Sequence, residues 1–187
     1  IVPPMEIVAA RIPDVKIITP RRFGDHRGFF SEVYSQRRFA EHGLELVFVQ
    51  DNHSRSDRVG VLRGLHYQIP PKAQDKLVRV VRGAILDVAV DLRRASPTFG
   101  EHVTVELSAE NWRQVLVPRG FAHGFVTRTA DTEVLYKVTA DYAPELERGI
   151  AWDDPDLAID WGIAQPNVIL SDRDRNHPRL ASVQDLF

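Results

Sequence analysis

The chain has no cysteine among its 187 residues, which excludes disulfides, thiolate nucleophiles and cysteine-ligated zinc together. Methionine occurs once, at Met5, so residues 1–4 are expected to be a leftover ahead of a natural start. Neither charge sign is in excess. Lys and Arg number 24 against 26 Asp and Glu, a net charge of −2, so no bulk field recruits nucleic acid or an anionic membrane. No apolar run approaches the ~20 residues of a membrane span. The first residues also lack the charged and apolar regions of a signal peptide. A cytoplasmic protein is expected. What is present is a globular composition, 43% hydrophobic and 27% charged, in a chain long enough for one domain over residues 1–187.

Short β patterns dominate the sequence. Leu77–Val81 and Ala84–Val90 flank the turn signal Arg82-Gly83, and Phe121–Arg128 with Glu133–Ala140 read as a further hairpin around residues 129–132. Val103, Val105 and Leu107 alternate with His102, Thr104 and Glu106, the pattern of a strand with one solvated face. Trp112–Val117 is a further strand, stopped by Pro118-Arg119-Gly120. Only Gln36–His42 and Pro155–Trp161 have helical character. Strands about ten residues apart with turn chemistry between them predict an all-β sandwich or barrel, followed by a less regular tail from about residue 152.

Within this pattern a few polar groups are out of place. Val61–Gln68 carries Arg63 and His66 in what otherwise reads as a strand, and a period of two sends Leu62, Gly64, His66 and Gln68 to one face. Gly64 marks a place where something comes close to the backbone. Along Glu133–Ala140 the apolar set Val134, Tyr136 and Val138 faces the core, which carries the Tyr136 hydroxyl inward. Lys76 opens the Val78, Val80 face near a rim. His123 lies among small and apolar residues in Gly120–Phe125. Each alone has an ordinary structural reading: a packed histidine, a core tyrosine, a solvated edge lysine. Ser171-Asp172-Arg173-Asp174 is either a solvated turn or a carboxylate folded back to orient a histidine. A metal site wants two or more histidines at close spacing plus a carboxylate. Gln68 stands where a second histidine would, so metal-free chemistry without a cofactor is expected.

Taken jointly, the segments resemble the dTDP-4-dehydrorhamnose 3,5-epimerase family, cupin-type jelly rolls acting on nucleotide sugars. The blocks are Phe23–Phe30, Gln50–Ser54, Val61–Gln68, Ala73–Val78, Asp87–Asp91, Ser96–Gly100, Gly120–Phe125, Leu135–Lys137 and Leu170–Asp174. The resemblance implies an all-β jelly-roll with short peripheral helices. It implies His66 as general base, Asp174 as its paired carboxylate, Tyr136 as general acid and Lys76 as the cation near the sugar carbonyl oxygen. Arg27 and Arg63 match the pyrophosphate and nucleotide contacts. Glu32, Gln50, Asp51 and Asn52 match nucleotide and substrate binders, and His123, Glu147 and Arg173 fall on binding positions. Tyr142 takes the place of the aromatic that stacks on thymine. The resemblance further implies a homodimer in which the segment around Arg27 reaches the neighbour's site. Asp75 departs from the pattern, where glycine is familiar, and an extra carboxylate there bears on the reach of Lys76.

The implied substrate is dTDP-4-dehydro-6-deoxyglucose, whose C4 ketone acidifies the hydrogens on C3 and C5. Inversion needs a base on one face of the ring and a proton donor on the other. An imidazole suits the first task because it ordinarily titrates near ~6.5. The alternatives are an epimerase inverting C5 only or C3 only, a 3,4-ketoisomerase, a non-catalytic sugar-nucleotide binding module and a metal-dependent cupin oxygenase.

Overall fold

The computed structural model describes residues 3–187, so Ile1 and Val2 of the expected leftover lie outside the described residues. In chain order the first strands are β1 (Met5–Ala9), β2 (Lys16–Pro20), β3 (Arg22–Asp25), β4 (Gly28–Ser31), β5 (Gln50–Ser56), β6 (Leu62–Gln68) and β7 (Lys76–Arg82). They continue as β8 (Ala84–Asp91), β9 (His102–Ser108), β10 (Gln114–Val117), β11 (Phe121–Thr127), β12 (Thr132–Val138) and β13 (Glu147–Gly149). Two short helices, α1 (Gln36–Glu41) and α2 (Asp172–Arg175), lie outside the sheets. One sheet has the order β1-β2-β10-β7-β12-β5, the other β13-β6-β11-β8-β9, and β3 pairs with β4 as a separate arm. The pairing is antiparallel throughout the named strands. This is the cupin-type jelly roll.

From β5 to β8 the chain changes sheet at every step, and it does so again from β9 to β12. The hairpins expected around Arg82-Gly83 and residues 129–132 therefore do not form. Those turns pass from one sheet to the other, and β7 and β12, each expected beside its sequence neighbour, pair with each other instead. Turn residues show where a strand ends, but the partner is chosen by which apolar faces meet. Pro155–Trp161 is not helical either. Ala158 adopts a left-handed φ of +49°, and Asp154 accepts from the Asp156 and Leu180 N–H groups, which fixes a chain of turns. Gln36–Glu41 is helical, with Ser35 as its cap.

The two sheets close on Val78, Val80, Ile85, Ala89, Val105, Leu107, Phe121, Phe125 and Val134, alternate residues of facing strands. The tail lies over the outer face of the second sheet, where Ile150, Leu157 and Trp161 pack on Leu62, Leu65, Val88 and Val126. β8 is consequently buried on both faces. That accounts for its nearly unbroken apolar run.

The strand that carries His66 does not keep its period. His123 pairs with His66, yet Phe125 pairs with Arg63, so two steps along β11 match three along β6. This bulge reverses the alternation. Leu62 joins Leu65 and Tyr67 on the outer face, while Arg63 and His66 share the inner cleft. The expectation that Leu62 and His66 occupy one face is thus corrected. Gly64, at the bulge, has φ +126°, and an added Cβ would sit 2.7 Å from Gly124 Cα and His123 O. Both obstacles are backbone. Gly64→Ala is expected to lower stability by about 2 kcal/mol or more from strain and overpacking, measured by urea unfolding.

Candidate active site

A cleft opens between the two sheets, in two lobes of about 350 and 320 Å³. His66, Lys76, Tyr136, Tyr142 and Glu147 line both. His66 enters from β6 of one sheet and Tyr136 from β12 of the other. The expected pairing of imidazole and phenol across one cavity is therefore present.

Asp174 is brought to His66 by the tail. Ser171 caps α2, accepting from Asp174 N–H at 3.1 Å, and this short turn aims the carboxylate inward. Asp174 Oδ1 lies 2.5 Å from His66 Nε2 and 3.1 Å from His177 Nε2, and Oδ2 accepts from Gly64 N–H at 3.1 Å. Burial pushes this carboxyl up. Hydrogen bonds from His177, His66 and Gly64, with the His66 charge, outweigh that and hold it below the usual carboxylate range. An ionised carboxylate only accepts, so both Nε2 atoms carry hydrogen and His66 Nδ1 is left free. Of the two readings of Ser171–Asp174, the folded-back carboxylate is the one realised.

Lys76 is buried, and burial lowers it to about 8 against the pull of Glu147 and Asp87. Asp75 does not compete for it. On the opposite side of the strand, Asp75 accepts from Arg119 N–H at 3.0 Å, the Arg119 guanidinium at 2.8 Å and Thr139 Oγ1 at 3.1 Å. Burial raises Tyr136 above its ordinary value although a hydrogen bond with Asn52 opposes this, so the hydroxyl keeps its proton. Gln50 and Asn52 are joined at 2.8 Å beside Tyr136, and Gln50 also accepts from Tyr142 N–H. Glu147 pairs with Arg173 at 3.0 Å, and Arg63 lines the same lobe. His123 lines it too, with Nε2 2.6 Å from buried Asp87.

Three expected binders stand elsewhere. Asp51 alternates to the outer face of β5 and pairs with Lys137 at 3.0 Å. Glu32 pairs with Arg38 at 2.6 Å, outside the cleft. Arg27 sits at the turn of the β3–β4 arm, exposed and bonded to Asp25. Two residues were missed. Asp87 was legible as a carboxylate with apolar neighbours on both sides in the middle of β8, and His177 as the imidazole three residues after Asp174, within reach on one helical turn. With His177 present, His66 is not a lone imidazole. The donor atoms of His66, Asp174 and His177 lie within 4.8 Å of one another.

A jelly roll whose inner cleft holds an imidazole fixed by a buried carboxylate and faced by a phenol has the arrangement that an acid–base isomerase requires. A family model for dTDP-4-dehydrorhamnose 3,5-epimerase matches residues 9–182. The dTDP-4-dehydrorhamnose 3,5-epimerase of Pseudomonas aeruginosa is 58% identical over 172 residues, covering 91% of this chain and 93% of that one. A dTDP-6-deoxy-D-glucose-3,5-epimerase of Legionella pneumophila, solved with dTDP-4-keto-L-rhamnose, superposes with a TM-score of 0.92 at 48% identity. That match covers 96% of this chain and 95% of the other. A 3'-monoepimerase of Streptomyces bikiniensis, solved with dTDP-quinovose, has a TM-score of 0.83 at 38% identity, covering 94% and 88%. The chain belongs to the dTDP-4-dehydrorhamnose 3,5-epimerase family and is an epimerase.

Because Lys76 titrates lower folded, at about 8, than its ordinary 10.5, the unfolded chain binds the extra proton between those values. This group's contribution to stability therefore rises with pH across that window. Lys76→Met removes the rise, so its stability relative to wild type is expected to fall from pH 7 to pH 10. Paired thermal-unfolding series measure the difference.

Proposed function

We propose that the protein inverts C3 and C5 of dTDP-4-dehydro-6-deoxyglucose, giving dTDP-4-dehydro-L-rhamnose by metal-free acid–base chemistry. The observation that carries this reading is the Asp174-held imidazole of His66 facing the Tyr136 hydroxyl across one cleft. His66 Nδ1 takes the proton from the carbon beside the C4 ketone, and the bond electrons move into an enolate. Asp174 steadies the imidazolium that forms. Lys76 supplies the positive charge for the enolate oxygen within a cavity shielded from bulk water. Tyr136 then returns a proton from the other face, and a proton passes back from His66 to reset the pair. The sequence repeats at the second carbon.

Anchoring is separate from chemistry. Arg63 and Arg173 offer planar forks for the diphosphate, and half-exposed Tyr142 offers a face to the base. His123, Glu147, Gln50 and Asn52 border the sugar. The homodimer also belongs to this proposal. The arm exposes Phe23, Phe29 and Phe30, the last at 73%, and Arg27 and Glu32 find no place in the cleft of their own chain. A second copy covers this apolar arm, and each Arg27 enters the other's cleft.

Metal-free chemistry is favoured by the hydrogen-bond pattern. Both Nε2 atoms act as donors to one carboxylate oxygen, so where the three side chains converge they present hydrogens and not lone pairs. Dialysis against a chelator is expected to leave kcat unchanged, and stoichiometric metal bound through His66 and His177 would overturn this.

His66→Ala is expected to lower kcat by about 10²–10⁴-fold and to leave dTDP affinity unchanged, read by calorimetry. In D₂O the wild-type enzyme is expected to place deuterium at both C3 and C5, followed by NMR. Label at one carbon only would assign it to the mono-epimerases that share this fold.

A further inference from the structure

His177 has no role in the chemistry above, yet it touches both members of the catalytic pair. Its Nε2–H reaches the same Asp174 oxygen as His66 Nε2–H, at 3.1 Å against 2.5 Å. Its ring stands edge-on to the His66 ring, centroids 5.6 Å apart and planes at 79°. The seat is fitted to it. A Cβ added at Gly149 would lie 2.3 Å from His177 Nδ1 and Cε1, so only glycine leaves space for the imidazole. Gly149 is also the residue paired with His66 between β13 and β6. Base, carboxylate and third ring are thus locked together by β6, β13 and the end of α2.

We propose that His177 is a positioning residue for the His66–Asp174 pair, which it tunes by sharing the charge of the carboxylate. Two N–H donors on Oδ1 and one on Oδ2 leave Asp174 no freedom to rotate, so His66 keeps Nδ1 directed to the cleft. A second donor also takes up part of the negative charge, and the imidazolium on His66 is held less tightly. That matters for a reaction with two inversions. A partner that bound the imidazolium too strongly would delay release of the proton before the second one.

Other charges stand near the pair. Glu147 and Arg148 of β13 and Asp172 and Arg173 of α2 surround His177, and Lys76 of β7 with Tyr136 of β12 face His66. His123 of β11 and Arg63 of β6 complete the wall. Among the described residues only Asp174 makes a hydrogen bond to either ring.

The inference rests on His66 being the base, so the test pairs a kinetic readout with one that needs no substrate. The pH profile of kcat/KM is compared with a ¹⁵N NMR titration of the His66 ring for wild type, His177→Leu, His177→Gln and Gly149→Ala. In His177→Leu the carboxylate charge bears on His66 alone. The acid limb and the NMR midpoint are expected to rise together by about half to one pH unit, with KM unchanged. His177→Gln restores an N–H donor and is expected to stay near wild type. Gly149→Ala displaces the ring from the backbone side and is expected to match the leucine variant, which decides the question should that variant not fold. An unmoved limb and midpoint in His177→Leu, or equal shifts in the leucine and glutamine variants, would overturn the proposal. A moved NMR midpoint without turnover of the keto-sugar supports the role of His177 and rejects the substrate reading instead.

Discussion

A buried carboxylate that keeps its charge is the constraint on which the rest of this structure depends. Removing an ion from water is costly unless hydrogen-bond donors replace the water it loses. Asp174 meets the condition with three N–H groups, two from imidazoles and one from the backbone of Gly64. Two of these donors belong to β6 of the barrel and the third to the tail, which also carries Asp174. The carboxylate therefore joins the tail to the barrel and sets the tautomer of the base in one arrangement. Orientation of the His66 imidazole and docking of the tail are, physically, the same set of bonds.

The backbone around that carboxylate is shaped to let it in. The bulge in β6 turns Arg63 and His66 toward one cleft although three positions separate them. Gly64 and Gly124 meet where side chains on either strand would collide, and Gly64 directs its N–H to Asp174. A regular strand would have sent one of the two functional side chains outward. The irregularity is what puts the His66 imidazole and the Arg63 guanidinium in the same cavity.

Facing sheets give the site its two-sidedness. A base and an acid on one sheet would lie on the same side of a bound ring. Here β6 and β12 belong to opposite sheets, with the cleft between them. Lys76, on β7 beside β12, is buried deeply enough to titrate near 8, so its charge acts in a region of low dielectric where it has most effect. Asp75 leaves that charge alone because the strand period turns it toward Arg119 and Thr139.

The sequence by itself determined the all-β class, most strand positions and the absence of thiol chemistry, and it marked His66, Tyr136 and Lys76 as polar groups in apolar strands, while their roles and that of Asp174 came with the family resemblance. Those three were legible because alternation is local: an apolar strand that carries one imidazole, phenol or ammonium announces it. Strand partners were not legible, since turns such as Arg82-Gly83 mark an end without saying which sheet the chain enters next. The reversal of period at Gly64 needed β11 to be in place. Asp51 and Glu32 were binding positions implied by the resemblance, but alternation on β5 and an ion pair with Arg38 set them apart from the cleft. His177 became part of the site only when the tail folded over the barrel. Tertiary structure decided these points because each depends on contacts between residues far apart in the chain, which no window of sequence contains.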